Sequence, residues 1–180
     1  MTGISLRATR FCEIQILSAI LASCLIGLFA QIRIPLPFTP IPLTGQTFGV
    51  MLVGALLGPK NGALAAFFYL VQAAAGLPVL AGGKAGVHYF LGITGGYLLA
   101  YPLEAYLIGR CLEDTGSVLK TIGALMIPWS IQLAIGTLWL SFFIGIDLAF
   151  FQGFYPFVAI ELAKSSLIVF YKKVQLCKLQ

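Results

Sequence analysis

The sequence predicts an all-α membrane protein with six transmembrane helices and both termini on the cytoplasmic side. Three observations carry that expectation. Hydrophobic residues make up 59% of the 180 and charged residues only 9%, against about 25% charged in an ordinary soluble domain. The apolar residues fall into runs of helical length, broken by proline- and glycine-rich stretches. The cations between those runs sit mostly on one side of the alternating path. Eleven basic and six acidic residues cannot build the polar shell of a soluble domain, and disorder would need low hydrophobicity. Six spans of about 20 residues use about 120 residues. That leaves short loops and no room for a soluble catalytic or nucleotide-binding domain.

The first helix is expected over 14–31. Arg7 and Arg10 ahead of an apolar stretch also suit a signal peptide, and Leu21-Ala22-Ser23-Cys24 resembles a lipoprotein cleavage box. The apolar run continues to Ala30, however, which favours a transmembrane helix. Residues 33–42 follow, with four prolines (Pro35, Pro37, Pro40 and Pro42) in eight positions. They cannot be a helix interior. An apolar, ordered loop at membrane depth must be buried in protein or line a cavity, so this loop is a candidate part of a site.

The second and third helices are expected over 47–57 and 63–75, both short, joined by a turn at Gly58-Pro59-Lys60-Asn61-Gly62. A glycine-rich loop over 76–92 holds Gly82-Gly83-Lys84 and the sole histidine, His88. The fourth helix is expected over 93–110, the fifth over 121–146 and the sixth over 156–171, with loops at 111–120 and 147–155.

On this path one side carries Arg7, Arg10, Lys60, Arg110, Lys120, Lys172, Lys173 and Lys178, and the other only Arg33 and Lys84. The positive-inside rule makes the first side cytoplasmic. The proline loop, the glycine loop and the mouth of the sixth helix then face outward together, which points to a site open to the outside. The net charge of +5 reports topology and not nucleic-acid binding, because the cations are scattered and form no phosphate-binding stripe.

Glu161 and Lys164 are the main candidates for chemistry. Three apart on the sixth helix, they share a face. Ionisable residues inside a membrane are expensive and mark functional sites by default; the alternative is a structural ion pair that fixes packing. A carboxylate acceptor beside an ammonium donor suits a ligand with N–H groups next to a carbonyl, such as a ureido or amide. Gln46 and Thr44 sit where the proline loop enters the second helix, as binding groups or helix-end hydrogen bonders. Lys84 offers a cation to an anionic ligand or to solvent. Tyr89 and Tyr97 can stack on a ligand ring or belong to an interfacial belt. On the first helix, Ser18, Ala19, Ala22 and Ser23 form a face of small residues that lets another helix approach closely, internal or from another subunit.

Enzyme chemistry finds no support. The Gly82-Gly83-Lys84-Ala85 stretch lacks the upstream glycine and the hydroxyl residue of a phosphate-binding loop. There is no HExxH motif and no serine with a plausible histidine partner. Cys12, Cys24, Cys111 and Cys177 show no CxxC spacing, so no metal or other cofactor is expected. No internal repeat is visible, which argues against an inverted-repeat transporter.

Several stretches together resemble the BioY family: Pro40-Ile41-Pro42-Leu43-Thr44-Gly45-Gln46-Thr47-Phe48-Gly49 running on to Gly54-Ala55-Leu56-Leu57-Gly58-Pro59, Ala75-Gly76-Leu77-Pro78-Val79, Ala81-Gly82-Gly83, and Gly92-Ile93-Thr94-Gly95-Gly96-Tyr97-Leu98. Glu161-Leu162-Ala163-Lys164 is similar to that family's Asp-x-x-Lys signature. The resemblance implies a six-helix S component of an energy-coupling factor (ECF) transporter. It implies capture of biotin from the outside of a bacterial cytoplasmic membrane, with a transmembrane coupling protein and two cytoplasmic ATPases as partners. It further implies that Glu161 and Lys164 hold the ureido group, that Gln46, Thr44, Lys84, Tyr89, Tyr97 and the Gly82-Gly83 backbone complete the pocket, and that Ser18, Ala19, Ala22 and Ser23 dock the coupling protein. The family usually has Pro-Gly-Asp where this chain has Ala159-Ile160-Glu161. That longer carboxylate keeps an S component for another vitamin in view, and a solitary biotin carrier is a further alternative.

Overall fold

Apolar runs fold as helices up to the residues that break them, and here the breaks decide the architecture. The computed structural model describes residues 2–113 and 118–178, with side chains described over 14–113 and 119–170. Helix α1 is Thr2–Ala30, starting earlier than expected. A small antiparallel ribbon follows, β1 (Arg33–Ile34) and β2 (Leu43–Thr44), pairing Arg33 with Thr44 and Ile34 with Leu43. The ribbon clamps both ends of the proline loop. Thr39 then ties the loop's middle down, its hydroxyl donating to the Gln152 carbonyl at 2.8 Å.

Helix α2 spans Gln46–Ala74 but doubles back at Gly58, the one residue inside it with non-helical angles (φ 74°, ψ −176°). In a straight helix the ends of the 23-residue separation between Gln46 and Tyr69 would lie about 35 Å apart. Instead Gln46 Nε2 donates to the Tyr69 hydroxyl at 2.5 Å. A Cβ on Gly62 would come within 2.8 Å of the Gly54 Cα. The two expected helices are therefore present, but the five-residue turn between them shrinks to one residue. Pro59 opens the second half, where its missing N–H is no loss.

Three short elements follow. Helix α3 (His88–Leu91) is a single turn inside the glycine loop, which the sequence does not predict. The expected fourth helix is divided into α4 (Gly95–Leu99) and α5 (Tyr101–Glu113). Pro102 accounts for the joint, since it offers no N–H to the preceding turn. Helix α6 (Val118–Ile144) matches the fifth helix and ends at Gly145, φ 84°. The expected loop over 147–155 is instead helix α7 (Ile146–Gly153). It has no glycine or proline before Gly153, and Asp147 in its first turn complements the helix dipole. Helix α8 (Tyr155–Lys178) follows.

Among the described residues three stretches are, by length and composition, long and apolar enough to cross a bilayer, Gln46–Ala74 (which doubles back at Gly58), Leu119–Ile144 and Ile146–Phe170, with a shorter apolar helix at Ile14–Ala30. Large apolar side chains point outward along them, Phe142 at 85% exposed and Leu119 at 79%. Lipid solvates such a surface and water does not.

One core cluster joins Ala19 and Ile26 of α1 to Val53, Ala66 and Tyr69 of α2 and Tyr101 of α5. A second joins Met51, Ile108, Trp129, Leu140, Phe157 and Ile168. Two glycines allow close approaches that position the site. A Cβ on Gly109 would run into the backbone of Gly58 and Pro59, and one on Gly136 into the Tyr97 ring. The Gly58 turn thus meets the far part of α5. At the opposite end the proline loop, the glycine loop and the α6–α8 connection converge, with Gln31 Nε2 reaching the Leu80 carbonyl at 3.5 Å.

The small-residue face of α1 is engaged inside the chain. Ala19 and Ser23 are fully buried, and Gln72 Nε2 donates to the Ser23 hydroxyl at 2.9 Å. Ser18 and Ala22 are half-buried. Within the chain, α2 covers Ala19 and Ser23, while Ser18 and Ala22 stay partly open. Cys24 and Cys111 are free thiols, whereas Cys12 and Cys177 lie outside the described side chains.

Gly58 occupies backbone space that is essentially restricted to glycine, where another residue costs about 1–3 kcal/mol. Nothing lies within 4 Å of a Cβ built there, so the penalty is conformational only. Gly58→Ala and Gly58→Asn should both lower the thermal midpoint in detergent, to a similar degree. Asparagine stabilised relative to alanine would mean an ordinary left-handed turn in place of this reversal.

Candidate substrate-binding site

The end where the loops converge encloses a cavity of about 400 Å³, within the usual range for small-ligand pockets. Its walls come from the proline loop (Pro40, Ile41, Pro42), the start of α2 (Gln46, Thr47), the glycine loop with α3, α4, the first residue of α5, α6 and α8. Much of the lining is apolar, and its charged groups fall at two places.

The first is the Glu161–Lys164 pair. Lys164 Nζ lies 2.8 Å from Glu161 Oε1, with side-chain exposures of 15% and 2%. Lys164 also donates to the Thr47 hydroxyl at 2.5 Å and to the Thr44 carbonyl at 3.0 Å. Thr47 in turn donates to Glu161 Oε1 at 2.8 Å. An ammonium has three N–H bonds, and all three are used. The carboxylate is not satisfied: Glu161 Oε2 is buried with no partner among the described residues. Spare capacity in this cluster is therefore for a hydrogen-bond donor.

The second polar place is the mouth, where Arg33, Lys84 and His88 are exposed. Lys84 Nζ sits 5.2 Å from the centroid of the Tyr89 ring, and the rings of His88 and Tyr89 are 4.2 Å apart. Two permanent cations there favour an anionic group on the outer end of a ligand.

Of the residues singled out in the sequence, Thr44, Gln46, Lys84, Tyr89, Tyr97, Glu161 and Lys164 all line the cavity. Gln46 passes a hydrogen bond through Tyr69, whose hydroxyl donates to the Val79 carbonyl at 3.1 Å. Tyr97 keeps its hydroxyl in the protein, against Thr137 at 3.2 Å and the Gly153 carbonyl at 3.0 Å. Gly82 and Gly83 stand apart from the lining. Their positive φ angles, 74° and 71°, make the turn that pairs Leu80 with Lys84. They shape the wall, and their neighbours Leu80, Ala81 and Lys84 face the cavity.

Sequence reasoning missed Arg33 as a lining residue, along with Thr47, Tyr101 and Gln132. Gln132 and Tyr101 lie inside apolar runs, with no local mark beyond their polarity. It also missed Glu104, 1% exposed on α5, with neither carboxyl oxygen partnered among the described residues. The rule that flags an ionisable residue inside a span would have found it. The described residues hold no group of three potential metal ligands among His, Cys, Asp and Glu.

A family model described as the BioY family matches residues 6–176. The chain belongs to the BioY family. It is 34% identical over 157 residues to the probable biotin transporter BioY of Pyrococcus horikoshii, covering 87% of this chain and 91% of that one. It is 38% identical over 151 residues to the biotin transporter BioY of Thermotoga maritima, covering 83% and 88%. The fold is similar to a crystal structure of the S-component for biotin from an ECF-type ABC transporter, with TM-score 0.81 and 28% identity, covering 100% of this chain and 95% of that one.

Removing one partner of a buried ion pair typically costs about 3–5 kcal/mol, because the other charge stays behind. Glu161→Gln and Lys164→Met should each lower ligand-free stability clearly, and the double variant should recover much of the loss. Additive losses in thermal unfolding would contradict a buried, mutually dependent pair. Glu104 behaves oppositely. Glu104→Leu removes orphaned polar atoms from a buried position, so it should leave the thermal midpoint unchanged or raised; a large drop would reveal a partner.

Proposed function

We propose that this protein is the substrate-binding S component for biotin uptake, a transporter subunit and not an enzyme. Membership of a family whose relatives are named biotin transporters carries the substrate. The cavity supplies a place for it. Biotin's ureido group, two N–H donors around a carbonyl, enters toward the Glu161–Lys164–Thr47 cluster, where the unpartnered Glu161 oxygen accepts one N–H. The Lys164 ammonium orients that carboxylate. The fused ring and aliphatic chain pack on Ile41, Leu80, Leu98 and Phe157, with Tyr89 and Tyr97 on the ring. The carboxylate of the side chain then lies near Arg33 and Lys84.

The topology we propose has six membrane crossings, the two halves of α2 counting separately, with both termini in the cytoplasm. Lys60 at the hairpin turn and Arg110 near the end of α5 lie at the end away from the cavity, which suits the positive-inside rule. The cavity then opens outward, in the cytoplasmic membrane. The chain carries no phosphate-binding motif, so ATP is used elsewhere, by two cytoplasmic ATPases acting through a transmembrane coupling protein. We place docking of that protein along the outer edge of α1 beside Ser18 and Ala22, whose side chains are not fully buried.

Calorimetry on the detergent-purified protein should show tight biotin binding and none of thiamine, and Glu161→Ala and Lys164→Ala should each weaken biotin by tenfold or more, about 1.4 kcal/mol per tenfold. A folded protein indifferent to biotin would sink the substrate assignment. Uptake in cells should require the coexpressed ATPases; full uptake by this chain alone would replace the ECF reading with a solitary carrier.

A further inference from the structure

A ureido group brings two N–H donors, and the Glu161 oxygen answers only one. The cavity wall holds a second orphaned acceptor. Gln132, in the middle of α6, is 1% exposed and lines the cavity. Its Nε2 donates to the Tyr97 carbonyl at 3.3 Å, while its Oε1 is buried with no partner among the described residues. The orientation of this amide follows from its neighbour. A backbone carbonyl can only accept, so the NH₂ end must face Tyr97 and the oxygen is the free end. Gln132 and Glu161 stand on different helices of the same cavity and present the same chemistry, a carbonyl-type oxygen with nothing donating to it.

Buried acceptors left empty are costly, and the cost is removed when a donor arrives. The terminal torsions of Glu and Gln are broad, so both groups can turn toward an N–H with little strain. Lys164 cannot take the role, since an ammonium has no acceptor, and its three N–H bonds go to Thr44, Thr47 and Glu161. Resting on the biotin reading above, we infer that Gln132 is the second specificity-determining acceptor of the site: its Oε1 takes one ureido N–H and Glu161 Oε2 takes the other. The Tyr97 carbonyl positions the Gln132 amide for this. The ligand is thereby required to carry two N–H groups on one ring, and rings with a single N–H or none leave one of the two oxygens unpaired.

The test uses the full-length protein in detergent and calorimetry with three ligands: biotin and the two biotins methylated on one or the other ureido nitrogen. Wild type should bind biotin and bind each methylated isomer at least tenfold more weakly. Gln132→Met, close in volume, should weaken biotin about tenfold and lose discrimination against one isomer while keeping it against the other. If Gln132→Met binds biotin undiminished and still rejects both isomers, the role of Gln132 is overturned while the biotin reading stands. If folded wild type binds no biotin, both fall. Should Gln132→Met not fold, wild type decides by itself: acceptance of either methylated isomer as well as biotin overturns the two-acceptor arrangement, and rejection of both supports it.

Discussion

The structure depends on a charged pair kept away from water. Glu161 and Lys164 sit three residues apart on α8 and are almost fully enclosed. In that setting the pair survives only with further hydrogen bonds, and these come from a different part of the chain. Thr44 and Thr47 end the proline loop and begin α2, and both are bonded to Lys164. The β1–β2 ribbon, the loop it clamps and the start of α2 are therefore held against α8 by the same contacts that hold the charges. A site and a tertiary restraint coincide, so the pair cannot be altered without moving the loop that forms part of the cavity.

The remaining architecture brings short elements to that one end. The reversal at Gly58 returns the second half of α2 alongside the first, which lets Tyr69 meet Gln46 and reach the glycine loop through the Val79 carbonyl. The break at Gly145 turns the chain into α7, to which Thr39 fastens the proline loop. Close approach at Gly136 seats the Tyr97 ring against α6, and that same stretch of α4 orients Gln132 through its backbone carbonyl. The result is a mostly apolar cavity with acceptors inside and cations at the mouth. Such a division orders a ligand by polarity: a donor-bearing ring inward and an anionic tail outward.

Much of this was legible in the sequence, because it rests on composition and local spacing. Scarce charge marked a membrane protein, four crowded prolines marked an ordered loop, and the 161/164 spacing put two charges on one helix face. What stayed hidden depends on distance in space. Thr47 read as an ordinary helix start, and only the fold shows its hydroxyl between a carboxylate and an ammonium. Gln132 and Tyr101 read as helix interior. The small face of α1 was visible as a pattern, but nothing local said that α2 would cover Ala19 and Ser23. Asp147 to Tyr155 read as a loop between the fifth and sixth helices, whereas most of it folds as α7. Glu104 was there to be noticed and follows from the same membrane rule as Glu161.

The central claim is that the buried pair presents an acceptor, not a donor, to the ring of biotin. The most direct measurement is an experimental structure of the protein bound to biotin. The account predicts a ureido nitrogen at about 2.9 Å from Glu161 Oε2, with Lys164 still bonded to Thr44, Thr47 and Glu161. A ring bound elsewhere in the cavity, or a Lys164 that has left Thr44 and Thr47 to hold the ureido oxygen by itself while Glu161 Oε2 stays empty, would contradict it.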